Sequence, residues 1–218
     1  MHIADNIIRN KLKNVYFIWG RGKTTIAREL GNKYGCYVFS TDEARDRNIM
    51  YACPEYQPYM CRNFEVEYGV NSFWELPKEV IKDREKHFLS EVTPMIIADL
   101  IALSSQYETV ICEGDIDYIT IIPIAQHFVY LNNCGTKFDW FNRPDHENIV
   151  ESTNKRTDLT DEEKAAIMTK AYDAVSGNEG VVPHWVLENG VKVISWDDKV
   201  TVEDTAAETA EYFGLAFS

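Results

Sequence analysis

Metal-ligand spacing is missing from this chain. Its five cysteines and five histidines form neither a CxxC nor a Cys/His pair at zinc spacing. Positive charge is scarce: 22 Lys and Arg stand against 35 Asp and Glu, a net charge of −13. That balance argues against nucleic acid or an anionic membrane surface as partner. The segment Met1-His2-Ile3-Ala4-Asp5-Asn6-Ile7-Ile8 has no basic region, apolar core or cleavage site, so no secretory leader is expected. No apolar run is expected to reach membrane-spanning length. An odd cysteine count without an export signal predicts free thiols in a reducing cytoplasm. With no internal repeat and no low-complexity linker, residues 1–218 are expected to fold as one domain. The oligomeric state leaves no signature.

Alternation is what the chain does have. Short apolar runs at 15–19, 37–40, 109–112, 127–131 and 191–195 are separated by helical or turn patterns, which predicts an α/β fold with a parallel sheet. Gly31 and Gly35 are expected to mark the end of the first long helix and the turn after it. Thr160-Asp161-Glu162-Glu163 is a capping-box pattern that starts a helix running to about Val175. A last helix is expected from Val202 to Phe213, with Gly214 at its end. Two stretches interrupt the alternation. Residues 42–90 are dense in aromatics and turn formers and predict a helical substrate-binding insertion, with additional core as the alternative. Residues 141–164, with Arg143, Lys155, Arg156 and Lys164 and few apolar positions, predict a charged lid.

The most informative segment is Gly20-Arg21-Gly22-Lys23-Thr24-Thr25, between the first apolar run and a helix-like stretch. Backbone N–H groups in a glycine turn converge on one anion, and a helix N-terminus adds partial positive charge. The full phosphate-loop pattern puts a Gly five positions before the Gly of Gly-Lys, where this chain has Phe17. Counted instead from Gly20, only Arg21 stands where four residues are expected, so the loop is three residues short. Either the loop is contracted, or residues of its tip are missing between Gly20 and Arg21. The intact strand and helix signals on either side favour the second.

The order of GKTT turn, Ser40-Thr41-Asp42, Glu113-Gly114 and a basic stretch after the fourth strand resembles the small P-loop kinases. These comprise the nucleoside and nucleotide kinases and the shikimate, gluconate and chloramphenicol phosphotransferases. The resemblance implies a three-layer sandwich around a five-stranded parallel sheet of order 2-3-1-4-5, with ATP and Mg²⁺ as cofactors. It implies phosphoryl transfer to a small-molecule hydroxyl or phosphate, nucleosides and nucleotides first. The alternative is a nucleotide-binding module or ATPase without kinase activity.

The resemblance, together with the chemistry of each side chain, implies the candidates. Gly20, Arg21, Gly22, Lys23, Thr24 and Thr25 would line the phosphates. Lys23 would neutralise their outer charge, and the Thr24 hydroxyl would ligate Mg²⁺. Asp42, expected at the carboxyl end of the second strand, either takes the acceptor's proton or caps the helix that follows. Glu113 would hold the metal directly or orient the acceptor, with Asp115 and Asp117 just beyond it. Arg143 and Arg156 are the cations proposed to close over the triphosphate. In the resembled kinases adenine rests near the connection after the last strand, so Trp196 is expected either beside the base or in the core.

Overall fold

The computed structural model describes residues 3–133, 147–176, 181–197 and 199–215. Its strands are β1 (Val15–Gly20), β2 (Tyr37–Ser40), β3 (Val110–Glu113), β4 (His127–Asn133) and β5 (Lys192–Trp196). They form one sheet in the order β2-β3-β1-β4-β5, with every pairing parallel. The described helices are α1 (Ile3–Lys11), α2 (Lys23–Tyr34), α3 (Thr41–Ile49), α4 (Pro58–Cys61), α5 (Phe64–Tyr68), α6 (Lys78–Ser104), α7 (Tyr118–Ile121), α8 (Glu147–Asn154), α9 (Asp161–Ser176), α10 (His184–Glu188) and α11 (Val202–Phe213). A 3₁₀ turn occupies Phe73–Glu75.

Strand periodicity divides the core between the two faces of the sheet. On one face, Ile18, Ile111, Val129, Leu131 and Ile194 pack with Ile26, Ala27 and Leu30 of α2 and with Ala206, Ala210 and Phe213 of α11. On the other, Val15, Phe17, Phe39, Val110, Cys112 and Phe128 pack with Leu12, Ala44 of α3, and Phe88, Val92, Ile96 and Leu100 of α6. Three layers result, as the resemblance implies.

Two expectations need correction. Gly31 lies inside α2, which ends at Gly35 with φ +68°; the Gly35 N–H donates to the Gly31 carbonyl. A Cβ on Gly31 would come within 2.7 Å of Val38 Cγ2, so its role is close approach of helix to strand. The second correction concerns α6, whose 27 residues are long and apolar enough to cross a membrane by length and composition. Its buried residues Phe88, Val92, Ile96 and Leu100 instead cover the sheet.

The chain divides into two compact units. The first comprises Met1–Cys61, Lys86–Gly135 and Gly180–Ser218; the second comprises Arg62–Glu85 and Thr136–Glu179. All five strands belong to the first. Within the second, Arg62 pairs with Glu67 and lies 4.1 Å from the Phe64 ring centroid, and Arg84 lies 4.7 Å from that of Phe73. There α9 opens with the expected cap: the Glu163 N–H donates to Thr160 Oγ1 at 3.2 Å, and the Thr160 N–H donates to Glu163 Oε2 at 2.8 Å.

Candidate active site

The turn after β1 is continuous and contracted, against the expectation of residues missing between Gly20 and Arg21. Gly20 (φ +98°), Arg21 and Gly22 (φ +81°) join β1 directly to α2, and the Arg21 N–H donates to the Leu131 carbonyl of β4 at 3.0 Å. A Cβ on Gly20 would lie 2.1 Å from that carbonyl oxygen, so only glycine fits. Gly22 is the N-cap of α2 and offers no side-chain cap. The opening amides of the helix therefore have no side-chain acceptor there, and they have no intrahelical partner by construction.

Three elements of the first unit, α2, β3 with its exit, and α3, bring charged side chains to the carboxyl edge of the sheet. Lys23, in the first turn of α2, has its Nζ 3.5 Å from Asp115 Oδ1, with 22% of its side chain exposed. Burial pulls its pKa down, but Asp115, Asp42 and Glu113 outweigh that and hold it above the ordinary value. Thr24 donates its hydroxyl to Glu113 Oε2 at 2.8 Å. Glu113 ends β3 and is only 2% exposed; burial raises its pKa against the hydrogen bonds from Thr24 and Ser40 and the charge of Lys23. Asp42 lies in the first turn of α3, whose N-cap is Ser40, so it does not cap that helix. Its Oδ1 is 3.6 Å from Arg45. Burial, then Asp115, raises the Asp42 pKa.

Sequence reasoning underweighted Asp115 and missed Trp19 and Arg45. Burial acts to raise the Asp115 pKa, but the Lys23 charge and the Trp19 hydrogen bond prevail and lower it. The Trp19 indole N–H donates to Asp115 Oδ1 at 2.9 Å. That indole packs against Trp185 (ring centroids 4.9 Å apart), which stacks on Tyr118 at 4.3 Å. The backbone around Asp115 is fixed as well. Thr41 Oγ1 donates to the Asp115 carbonyl at 3.1 Å, and the Asp117 N–H donates to Thr93 Oγ1 at 3.0 Å. Gly114 (φ +121°) permits this, because a Cβ there would lie 2.0 Å from Thr41 Oγ1. A signal was present in the sequence: Glu113-Gly114-Asp115 puts two acids around a glycine directly after a buried strand.

The remaining candidates are placed differently. Arg156 belongs to the second unit, where its guanidinium donates to Glu75 Oε1 and Asp158 Oδ1, both at 2.7 Å. Arg143 lies outside the described residues. Trp196, at the end of β5, lies against the turn: a Cβ on Gly22 would be 2.6 Å from its Cζ2. Among the described residues no group of three or more His, Cys, Asp or Glu is arranged to hold a metal ion. The two oxygen donors of Thr24 and Glu113 nonetheless suit Mg²⁺, which keeps several waters and takes further ligands from substrate phosphates.

The strand order and the layers of helices on its faces define an α/β three-layer sandwich around a five-stranded parallel sheet. No family model matches the chain, and no curated protein sequence does. Among solved structures it is similar to a dephospho-CoA kinase from Campylobacter jejuni, at 12% identity over 92% of this chain and 96% of that one, with a TM-score of 0.41. It is also similar to a sugar kinase from Janibacter sp., at 15% identity over 93% and 94% of the two chains, with a TM-score of 0.36. Likenesses this distant leave the reaction to be argued from the site itself.

Proposed function

We propose that the chain transfers a phosphoryl group from ATP, with Mg²⁺, to a hydroxyl or phosphate of a small molecule, with nucleosides or nucleotides as first choice. The observation that carries this reading is the Thr24–Glu113 hydrogen bond of 2.8 Å, directly beside Lys23 on the opening turn of α2. A hydroxyl and a buried carboxylate held together next to a lysine and uncapped helix amides form the oxygen donor pair and the cation that a metal-bound polyphosphate needs.

Phosphoryl transfer asks mainly for positioning and charge neutralisation. Thr24 and Glu113 would hold Mg²⁺, which when bound neutralises phosphate charge. Lys23 would exchange Asp115 for a phosphate oxygen. Asp42, whose raised pKa brings it nearer the working range of a general base, would accept the acceptor's hydroxyl proton. Arg45 would steady the Asp42 carboxylate from 3.6 Å. Arg156 would serve the triphosphate only by giving up Glu75 and Asp158, and Arg143 is proposed for the same task. Without Mg²⁺ the site is acidic, with Asp42, Glu113 and Asp115 facing Lys23, so polyphosphate binding is expected to depend on the metal.

One observation favours a second reading, a nucleotide-binding module without turnover: the turn is contracted, and Trp196 rests on Gly22. A single assay separates the two. ADP formation is followed with Mg²⁺ and ATP across a panel of nucleosides, nucleotides and sugars, alongside thermal stabilisation by the same nucleotide. Acceptor-dependent ADP supports the kinase. Stabilisation without turnover across the panel supports the module, and neither effect removes both readings.

A further inference from the structure

We propose that the indole N–H of Trp196 is a phosphate donor at the contracted turn, supplying a hydrogen bond that a longer loop would draw from its own backbone. The inference rests on the phosphate-binding reading of the same site and gives Trp196 a role other than support of a base.

Two independent features meet here. The first is the opening of α2, whose cap residue Gly22 offers no side-chain acceptor and no side chain at all. The second is Trp196 Nε1, which is fully enclosed and has no hydrogen-bond partner. A buried N–H left without an acceptor is costly, and native structures leave few of them. The ring places this donor beside the turn. A Cβ on Gly22 would meet Cζ2 at 2.6 Å, Cε2 at 3.4 Å and Cη2 at 3.5 Å, and the Cζ2–H and Nε1–H bonds share one edge of the indole. The edge carrying the donor therefore lies over the turn.

Placement follows from the sheet. Trp196 ends β5 in register with Asn133 of β4, and β4 lies beside β1, whose last residue is Gly20. The indole reaches the glycine turn across the carboxyl edge of three neighbouring strands. A loop three residues shorter than the full pattern has fewer amides to offer a phosphate. The enclosed N–H supplies a replacement from outside the loop, and phosphate would satisfy the donor that the free protein leaves unpaired.

Titration of the full chain with Mg²⁺-ATP and with Mg²⁺-tripolyphosphate, which has no base, tests this against Trp196→Phe. Phenylalanine keeps an aromatic ring on Gly22 and removes the N–H. Both ligands are expected to weaken by about tenfold and by the same factor, as loss of one hydrogen bond to a charged group predicts. Equal binding by variant and wild type overturns the proposal, as does a loss confined to ATP, which indicates contact with the base. Tighter binding by Trp196→Ala also overturns it, because the indole then only obstructs the turn. Should the variants fail to fold, the wild-type indole N–H proton resonances of the five tryptophans decide. One must shift downfield with tripolyphosphate, and none shifting overturns the proposal. If neither ligand binds the wild type, the phosphate reading of the site falls too; if both bind wild type and variant alike, only the indole's role falls.

Discussion

Lys23 and Asp115 face each other across 3.5 Å, so the cation at the glycine turn is already held by a carboxylate. Trp19 donates to the same Asp115 oxygen. The ammonium is thereby held at Asp115, and the phosphate of the proposed reaction would have to displace that acid to claim it.

Replacing Lys23 by Met should therefore separate stability from activity. The ion pair is partly exposed, with 45% of the Asp115 side chain open to solvent, and such pairs contribute about 0–1 kcal/mol. Thermal melting should barely change. Acceptor-dependent ADP formation should fall by about 10²–10³-fold, as loss of a preorganised charge at a transferring group predicts. Turnover within twofold of wild type would remove Lys23 from the chemistry.

Asp42 sets a pH dependence. Burial and the nearby Asp115 raise its pKa, so the protonated form persists to higher pH than for a free aspartate. Only the carboxylate accepts a proton, so kcat/KM should fall as pH drops through that raised pKa, at a higher pH than a free aspartate would give. Asp42→Asn should abolish this acidic limb and lower the rate by about 10²–10⁴-fold. A profile whose acidic limb survives the substitution would assign the proton to another group.

Glu113 carries the opposite balance of stability and function. Its folded pKa lies above the ordinary value because it is buried. The ionised form therefore weakens the fold at neutral pH, and acidification through the folded pKa relieves that cost. Glu113→Gln keeps an oxygen for Thr24 and removes the charge. Without metal its Tm should rise by about 2–4 °C, the shift that ~1 kcal/mol produces in a domain of this size. Stabilisation by Mg²⁺-ATP should disappear. A lower Tm in the metal-free variant would show that the charge is compensated in the fold.

Gly22→Ala probes the turn itself. A left-handed φ of +81° strains any residue with a Cβ, and the added methyl would meet Trp196 at 2.6 Å. A loss of about 1–3 kcal/mol is expected, with a red shift of tryptophan emission as the indole is displaced toward water. Unchanged emission with an unchanged Tm would mean that the ring does not rest on the turn.

The fold was largely legible in the sequence because its signals are local. Short apolar runs bounded by turn formers marked all five strands, and Val202–Phe213 was marked by an acidic start and Gly214. The strand order came from resemblance and agrees with the sheet. Gly31 was misplaced because a glycine required for helix–strand contact looks identical in sequence to one that ends a helix. The contacts around the candidate site were less legible. Trp19 reaches Asp115 across 96 residues, and no spacing rule encodes such a contact. Arg45 was hidden because an i,i+3 pair with Asp42 looks like ordinary helix-surface charge until the helix is placed at the sheet edge. The contacts of Arg156 with Glu75 and Asp158 depend on a unit assembled from two separated stretches of chain.

Gly114 has a consequence for how the acids can move. Because it lets Thr41 grip the Asp115 carbonyl, the start of α3 and the exit of β3 are tied at one point. Asp42 follows Thr41 directly, while Glu113 and Asp115 flank the glycine. The acid beside Thr24 and the acid proposed to receive a proton thus share a single anchor. A displacement at that anchor therefore shifts Asp42 together with Glu113 and Asp115.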